Sequence, residues 1–336
     1  MSVNIGRRHA VAVLGGTAIA WPLAAWAQND RVRRIEMLVD LPDDDPDRSI
    51  LLRAFRQRLE ELGKREGRDI HIVIHYPGDF SFASAQEQYL LAAKEIVRLR
   101  PDVIFAQATP GVAALGEETR TIPIVFVEVP DPIGSGFAET FARPGGNITG
   151  FTDIEVKSTG SWLQMLKEIA PQLERVAMIA NPRMTPYAHF FDAASIAAAT
   201  LGLELVPIAV ERAGDIEREV SAIAQMPNSG LMLLPEQRGN RYRKLYINLA
   251  ARNRLPAVYP DRFFVAAGGL MSYGIDRAEM FRQGASYVDR ILRGERPANL
   301  PLQAVKYETV LNLKTARTIG LRVPPNLLAA ADEVIE

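Results

Sequence analysis

The sequence predicts an α/β protein made of two lobes, each built on a parallel sheet. Three observations carry this. From Arg33 onward, short β-favouring runs alternate with amphipathic helical segments, the pattern of parallel strands covered by helices on both faces. The pattern then restarts near Trp162 after a complete first series. Finally, the two series share a motif of strand, helix, X-Pro and strand, ending in Val129-Pro130-Asp131 in the first and in Tyr259-Pro260-Asp261 in the second.

Taken in order, Ile35 to Val39 reads as the first strand. Asp45 caps the next helix, with Pro46 at its first position, Leu51, Phe55, Leu59 and Leu62 on one face, and Gly63 as the stop. Ile70 to Tyr76 is the second strand, and Ser84 with Glu87 forms a capping box for a helix that buries Leu90, Leu91, Ile96 and Val97 and halts before Pro101. Val103 to Ala106 is a strand, Thr109-Pro110 opens the third helix, Ile124 to Val129 is the fourth strand, and Ile148 to Phe151 follows the turn Pro144-Gly145-Gly146.

In the second series, Trp162 to Ile169 is helical and Val176 to Ala180 is a strand. A helix from Thr185-Pro186 to Leu201 stops at Gly202, and Leu203 to Val210 is the next strand. Asp215 is expected to cap a helix to Met226, Leu231 to Leu234 is a buried strand, a helix runs from Arg241 to Arg254, and Ala257 to Tyr259 is again extended. Asp276 and Glu279 box a helix through Leu292, Pro297 to Pro301 is a linker, Lys306 to Leu311 is extended, and Leu313 to Ile319 and Asn326 to Val334 read as helices. Crossings near Thr152 to Val156, Tyr273 to Asp276 and Ala304 to Tyr307 would form a hinge between lobes 33–153 plus 276–304 and 157–273 plus 305–334.

The first 27 residues read as a signal peptide. Arg7 and Arg8 precede an apolar run from Ala10 to Ala25, and Ala25-Trp26-Ala27 is a small-x-small cleavage triplet before Gln28. The paired arginines fit a twin-arginine pattern loosely, which leaves both export routes open. The run is too short, and too broken by Gly15, Gly16 and Pro22, to span a bilayer as a helix, so no membrane anchor is expected in the mature form.

Removing the leader takes two of 39 basic residues and none of 40 acidic ones, for a formal charge of −3, with no Lys/Arg block to seek nucleic acid or an anionic membrane. An apolar content of 48% over about 309 mature residues supports a large core and two lobes. With no cysteine, disulfides, thiol catalysis, iron–sulfur clusters and a lipid anchor on cysteine are all excluded, and a freely diffusing periplasmic monomer is expected.

In open parallel sheets, ligands bind beyond the carboxyl ends of the strands. The residues expected there are Asp40 to Asp45, Gln107 to Pro110, Pro130-Asp131, Asn181 to Tyr187, Pro235 to Gln237, Tyr259 to Asp261 and Ser272-Tyr273. Thr109 and Thr185, each before a proline, read as N-caps that present free backbone N–H groups and a positive helix end to a carboxylate, or as ordinary caps. Asp131 and Glu236 suit an ammonium group, and Tyr187, Tyr259 and Tyr273 suit a ring; solvated caps and strand-edge packing are the alternative roles.

Enzyme motifs are sparse. His71 and His75 share one face of a strand about 13 Å apart, too far for a single metal ion, and read as solvated. His189 has no acid or serine fixed beside it in the sequence. Gly134-Ser135-Gly136 lacks the third glycine of a dinucleotide loop, Gly145 to Gly150 is a turn feeding a strand, and no Gly-Lys-Ser/Thr occurs, so neither cofactor nor metal is expected.

The runs IPIVFVEVPDPIGSGF, ARPGGNITGFT, LPAVYPDRFFVAAGGLMSYGID, ASYVDRILRGERPANLPLQ and LNLKTARTIGLRVPP, in that order, resemble the tryptophan-binding-like ABC-transporter substrate-binding proteins over nearly all of the mature chain. The resemblance implies a type I periplasmic binding protein fold: two Rossmann-like lobes joined by three crossovers, closing on a small solute and delivering it to the permease transmembrane subunits. Carried over by position, it assigns solute contacts to Asp40, Asp44, Gln107, Thr109, Asp131, Asn181, Thr185, Tyr187, Glu236, Tyr259 and Tyr273. The acidic run Leu41-Pro42-Asp43-Asp44-Asp45 departs from the tryptophan-binding branch, so the resemblance leaves open which solute is bound, an aromatic amino acid or another carboxylate. The competing readings are an exported enzyme with Asp131 or Glu236 as general acid or base, and a sensory module that signals its closed state.

Overall fold

The computed structural model describes residues 1, 31–43, 45–78, 82–152, 158–181, 187–235 and 242–336, with side chains except at 46, 82–85 and 187–189. The expected leader and its cleavage site, and most of the first expected crossover, lie outside the described residues.

In chain order the elements are β1 (Arg33–Leu38), α1 (Pro46–Glu61), β2 (Ile70–His75), α2 (Phe82–Arg98), β3 (Val103–Gln107), α3 (Thr109–Glu118), β4 (Ile124–Val127), β5 (Ile148–Thr152), α4 (Ser158–Ile169), β6 (Arg175–Ala180), α5 (Tyr187–Leu201), β7 (Glu204–Ala209), α6 (Ala213–Ala224) and β8 (Ser229–Leu233). They continue with α7 (Arg243–Arg252), β9 (Ala257–Tyr259), α8 (Arg262–Ala266), β10 (Met271–Ile275), α9 (Arg277–Leu292), β11 (Gln303–Ala304), β12 (Tyr307–Asn312), α10 (Leu313–Thr318), α11 (Pro325–Ala329) and β13 (Glu333–Ile335). Among the described residues no helix is long and apolar enough to cross a membrane.

Two sheets form, ordered β11-β5-β4-β3-β1-β2 and β13-β12-β10-β9-β8-β6-β7. The run β2-β1-β3-β4-β5 in the first is repeated by β7-β6-β8-β9-β10 in the second, so the restart read in the sequence is a repeat of topology. All strand pairs are parallel except β10 with β12.

Alternation along each strand divides the core between the two faces of each sheet. In the first lobe Val103 and Phe105 meet α1 and α9, while Ile104 and Ala106 meet α2 and α3. In the second, Met232 and Leu234 meet α4 and α5, while Leu231 and Leu233 meet α6 and α7. Phe105 lies between Phe55 and Phe281, with ring centroids at 4.7 and 5.2 Å. Helix α9 comes this close because Gly284 faces that ring, where an added Cβ would stand 2.6 Å from Phe105 Cε2. Helix α9 therefore packs on the first sheet although it follows β10 of the second.

Several local expectations change. Asp45 and Asp276 do cap α1 and α9, accepting from the N–H groups of Asp47 and Glu279. Helix α2 already starts at Phe82, which places Ser84 inside it, and it turns Leu91 to solvent while burying Tyr89, Ala93 and Ile96. Asp215 is the third residue of α6, where its carboxylate reaches back to the N–H of Arg212. His75 is not solvated: its Nε2 lies 2.5 Å from the fully buried carboxylate of Glu36. The helix expected through Val334 stops at Ala329, because Asp332 exchanges hydrogen bonds with Thr309 and turns the chain into β13 beside β12. Helix α8, only five residues long, carries no periodic signal and was not expected.

Candidate functional site

Segments that follow the carboxyl ends of strands in the two sheets meet at a seam, where Asp47 of α1, after β1, pairs with Arg243 of α7, after β8. Gln107, the last residue of β3, is 1% exposed, and both ends of its amide are engaged. Its Oε1 accepts from the N–H of Asp40 at 3.0 Å, and its Nε2 donates to Glu128 Oε2 at 2.7 Å. It thus ties the loops after β1, β3 and β4 into one rigid surface. Those loops are conformationally costly. Ala108 has φ 69 and ψ 153, a region that essentially only glycine occupies without strain, and Glu128 also has a positive φ of 56. Ala108 is held there because its N–H still pairs with the Val127 carbonyl at 2.9 Å, so the strand runs directly into α3. Thr109 is accordingly the first helical residue and not the N-cap, and α3 has no side-chain cap.

Five charged side chains meet at the seam. Glu128 receives Arg277 through Nε to Oε1 at 2.6 Å and Nη2 to Oε2 at 3.2 Å. Asp47 Oδ2 accepts from Arg243 Nη1 at 2.8 Å and lies 3.7 Å from Arg277 Nη1. Asp261, at the start of α8, accepts from the N–H of Phe263 at 2.9 Å. Asp47, Glu128 and Arg277 sit on elements of the first sheet and the helices packed on it, Arg243 and Asp261 on those of the second. Asp47, Arg243, Asp261 and Arg277 are all buried. Burial opposes the charge on Arg277, yet attraction and hydrogen bonding from Glu128, helped by Asp261 and Asp47, hold its pKa above the ordinary guanidinium value. Burial, with Asp47 nearby, pushes the Asp261 carboxyl up against the pull of Arg277 and Arg243.

Aromatic rings back this cluster from the second lobe. Phe263 packs with the core of the first lobe, and Arg277 lies 5.8 Å from its centroid. Arg243 lies 5.9 Å from Phe264, which stacks on Tyr259 at 5.1 Å. Tyr259 is therefore core, 1% exposed, and not a surface for a ring in the cleft. A strand-end tyrosine in a central strand has both faces covered by the flanking helices.

The other expected residues fall in different places. Asp131 is exposed and caps its own turn through the N–H of Gly134 at 2.8 Å. Asp40 is half-buried just past β1, Thr109 half-buried at the start of α3, and Asn181 buried just past β6. Tyr273 is half-buried on the crossing strand β10, 5.0 Å from Tyr307, and its carbonyl accepts from Trp162 Nε1 at 2.6 Å. Asp44, Thr185 and Glu236 lie outside the described residues, as does the side chain of Tyr187.

Asp261 was expected at its strand end, whereas Asp47, Glu128, Arg243 and Arg277 were not singled out as site residues in the sequence. A signal existed: Arg243 and Arg277 each begin a helix, where the positive end of the dipole disfavours a cation unless tertiary structure supplies anions.

Comparison with known proteins is consistent with this architecture. The family model described as ABC transporter substrate binding protein matches residues 53–335. A tyrosine-binding protein of Clostridioides difficile is 22% identical over 298 residues, covering 86% of this chain and 80% of that protein. Among solved structures, a conserved domain protein of Vibrio cholerae is 25% identical with a TM-score of 0.80, covering 90% of this chain and 100% of that one. An ABC domain from Streptococcus pneumonia in complex with L-Trp is 20% identical, also with a TM-score of 0.80, covering 91% and 100%.

Proposed function

The chain belongs to the ABC transporter substrate-binding protein family, and from that premise we propose that it captures an amino acid, with an aromatic side chain as the leading class, between its two lobes. The fold is that of type I periplasmic binding proteins, and solute capture for an ABC transporter is the family's function. In our reading the mature protein, cleaved after Ala27, works in the periplasm as a monomer without catalytic activity. Lobes 33–153 plus 276–304 and 157–273 plus 305–334 hinge at the three crossings, and the closed form is passed to the permease.

The observation that carries this reading is the meeting, at one seam furnished with groups of both charges, of segments that follow strand carboxyl ends in the two sheets. A zwitterion needs an anion receptor and a cation receptor a few ångströms apart, and helix N-termini beside carboxylates supply both. The tyrosine-binding and tryptophan-complexed relatives support the amino-acid class. Asp40, Asp44, Thr109, Asn181, Thr185, Tyr187, Glu236 and Tyr273 are the proposed lining, with Gln107 fixing the loops and Asp131 at the rim.

The test is mass spectrometry of small molecules released from the purified protein, followed by a thermal-shift screen of the twenty amino acids. One amino acid, released intact, should raise the melting temperature, because a ligand of the folded form alone must stabilise it. Release of a different solute class with no response to any amino acid would refute the assignment, as would chemical conversion of the solute. Thr109→Ala should weaken binding with little loss of stability, since its side chain caps nothing.

A further inference from the structure

We propose that Asp47 and Arg243 form an interlobe strap that holds the closed form together through protein groups alone, and that Arg277 takes over Asp47 when the lobes part. This rests on the hinged reading above. The ends of the strap come from different lobes, on the first turns of α1 and α7, and meet at 2.8 Å with side-chain exposures of 4% and 8%.

A buried ion pair stabilises only when good geometry and further favourable partners offset its desolvation. Asp47 meets that condition. Its Oδ2 faces Arg243 at 2.8 Å and Arg277 at 3.7 Å, and the residue sits at the positive end of α1. Arg277 stays with the first lobe whatever the cleft does, held by two hydrogen bonds to Glu128 and by the packing of α9 on the first sheet. Of the two cations, Arg243 is the one that moves with the second lobe.

One atom indicates what happens next. Arg277 Nη1 is buried and makes no hydrogen bond, although the oxygen it faces is the one taken by Arg243. When Arg243 departs, that hydrogen bond can close. Asp47 is then paired in both states, with Arg243 in the closed one and Arg277 in the open one. An element with two alternative pairings switches without passing through an unpaired buried charge. Because opening exposes Arg243 to water, losing the strap favours the open form and not the unfolded one.

The experiment is small-angle X-ray scattering on the full chain, unfolded, dialysed free of small molecules and refolded, for the wild type and for Arg243→Gln, Arg243→Lys and Asp47→Asn. Urea denaturation of each is run alongside. The wild type should be compact, Arg243→Gln and Asp47→Asn should show a larger radius of gyration at similar urea midpoints, and Arg243→Lys should recover most of the compaction. With L-tryptophan and L-tyrosine as probes, whichever binds should bind Arg243→Gln about tenfold more weakly, as follows if the closed population falls tenfold. Equal radii for wild type and Arg243→Gln would overturn the strap. Loss of the fold in both Arg243→Gln and Asp47→Asn would also overturn it, by making the pair a requirement of folding. If scattering responds but neither probe binds, the strap stands and the aromatic solute class falls.

Discussion

Glu128 and Asp261 hold the same station in the two lobes. Each lies five residues past the proline whose carbonyl accepts the first ladder hydrogen bond, Pro123 from Ile104 N and Pro256 from Leu231 N, both at 2.8 Å. Both carboxylates lie close enough to Arg277 to raise its pKa. The repeated Val-Pro-Asp and Tyr-Pro-Asp tripeptides instead align Asp261 with Asp131, three residues away from the true counterpart. The hydrogen-bond register corrects this, since pairing is fixed by the ladder and not by residue likeness.

Glu128→Gln should be much more damaging than Asp261→Asn. The first removes the carboxylate that holds Arg277 through two charged hydrogen bonds and leaves the buried guanidinium only the more distant Asp47 and Asp261, a loss of about 3–5 kcal/mol. The second imitates the neutral form toward which burial already pushes Asp261, and asparagine caps a helix as well as aspartate does, so the cost should stay below about 1 kcal/mol. Urea midpoints at pH 7 decide between them; equal losses would contradict the different roles.

Glu308 should give the protein a pH-dependent stability near neutrality. Burial, then Asp276, and more weakly Glu333 and Asp332, push its carboxyl up to about 7 against the pull of Arg262. Between its ordinary value of 4.5 and about 7 the folded state holds a proton that the unfolded state has released. Stability therefore falls as pH rises through that window, by up to about 1.4 kcal/mol per pH unit. Glu308→Gln should flatten melting temperature against pH between 5 and 7.5 and raise it above, and an unchanged profile would rule out Glu308 as the source.

Ser272→Ala should not destabilise. The Ser272 hydroxyl is fully buried and has no hydrogen-bond partner, a situation that costs about 1–3 kcal/mol and that alanine removes. Differential scanning calorimetry should show an equal or higher melting temperature; a clear fall would reveal a partner for that hydroxyl.

Tyr259→Ala should cost about 3–5 kcal/mol, the loss expected when a core aromatic is truncated. Tyr259→Phe keeps the stack on Phe264 and should leave a solute-induced thermal shift unchanged. A weakened shift in the phenylalanine variant alone would return Tyr259 to the solute site.

The sequence by itself determined the α/β class, a strand-helix series that restarts, the strands β1 to β9 and β12, and the caps at Asp45 and Asp276. These are local signals: alternation, helical period, turn chemistry and cap residues act within a few positions of one another. It also placed Asp40, Gln107, Thr109 and Asn181 at strand ends, because in a parallel sheet the strand boundary alone says which end faces the ligand. The tertiary structure alone decided which of the polar residues meet. Arg243 and Asp47 are 196 positions apart and Arg277 and Glu128 149 apart, and their pairing depends on how the elements of the two sheets meet and where α9 returns to the first sheet. Burial likewise separated Asp261 from Asp131 and placed Tyr259 in the core. A side chain's charge and chemistry are local properties, whereas the solvent and partners that give it a role are supplied by segments far away in the chain.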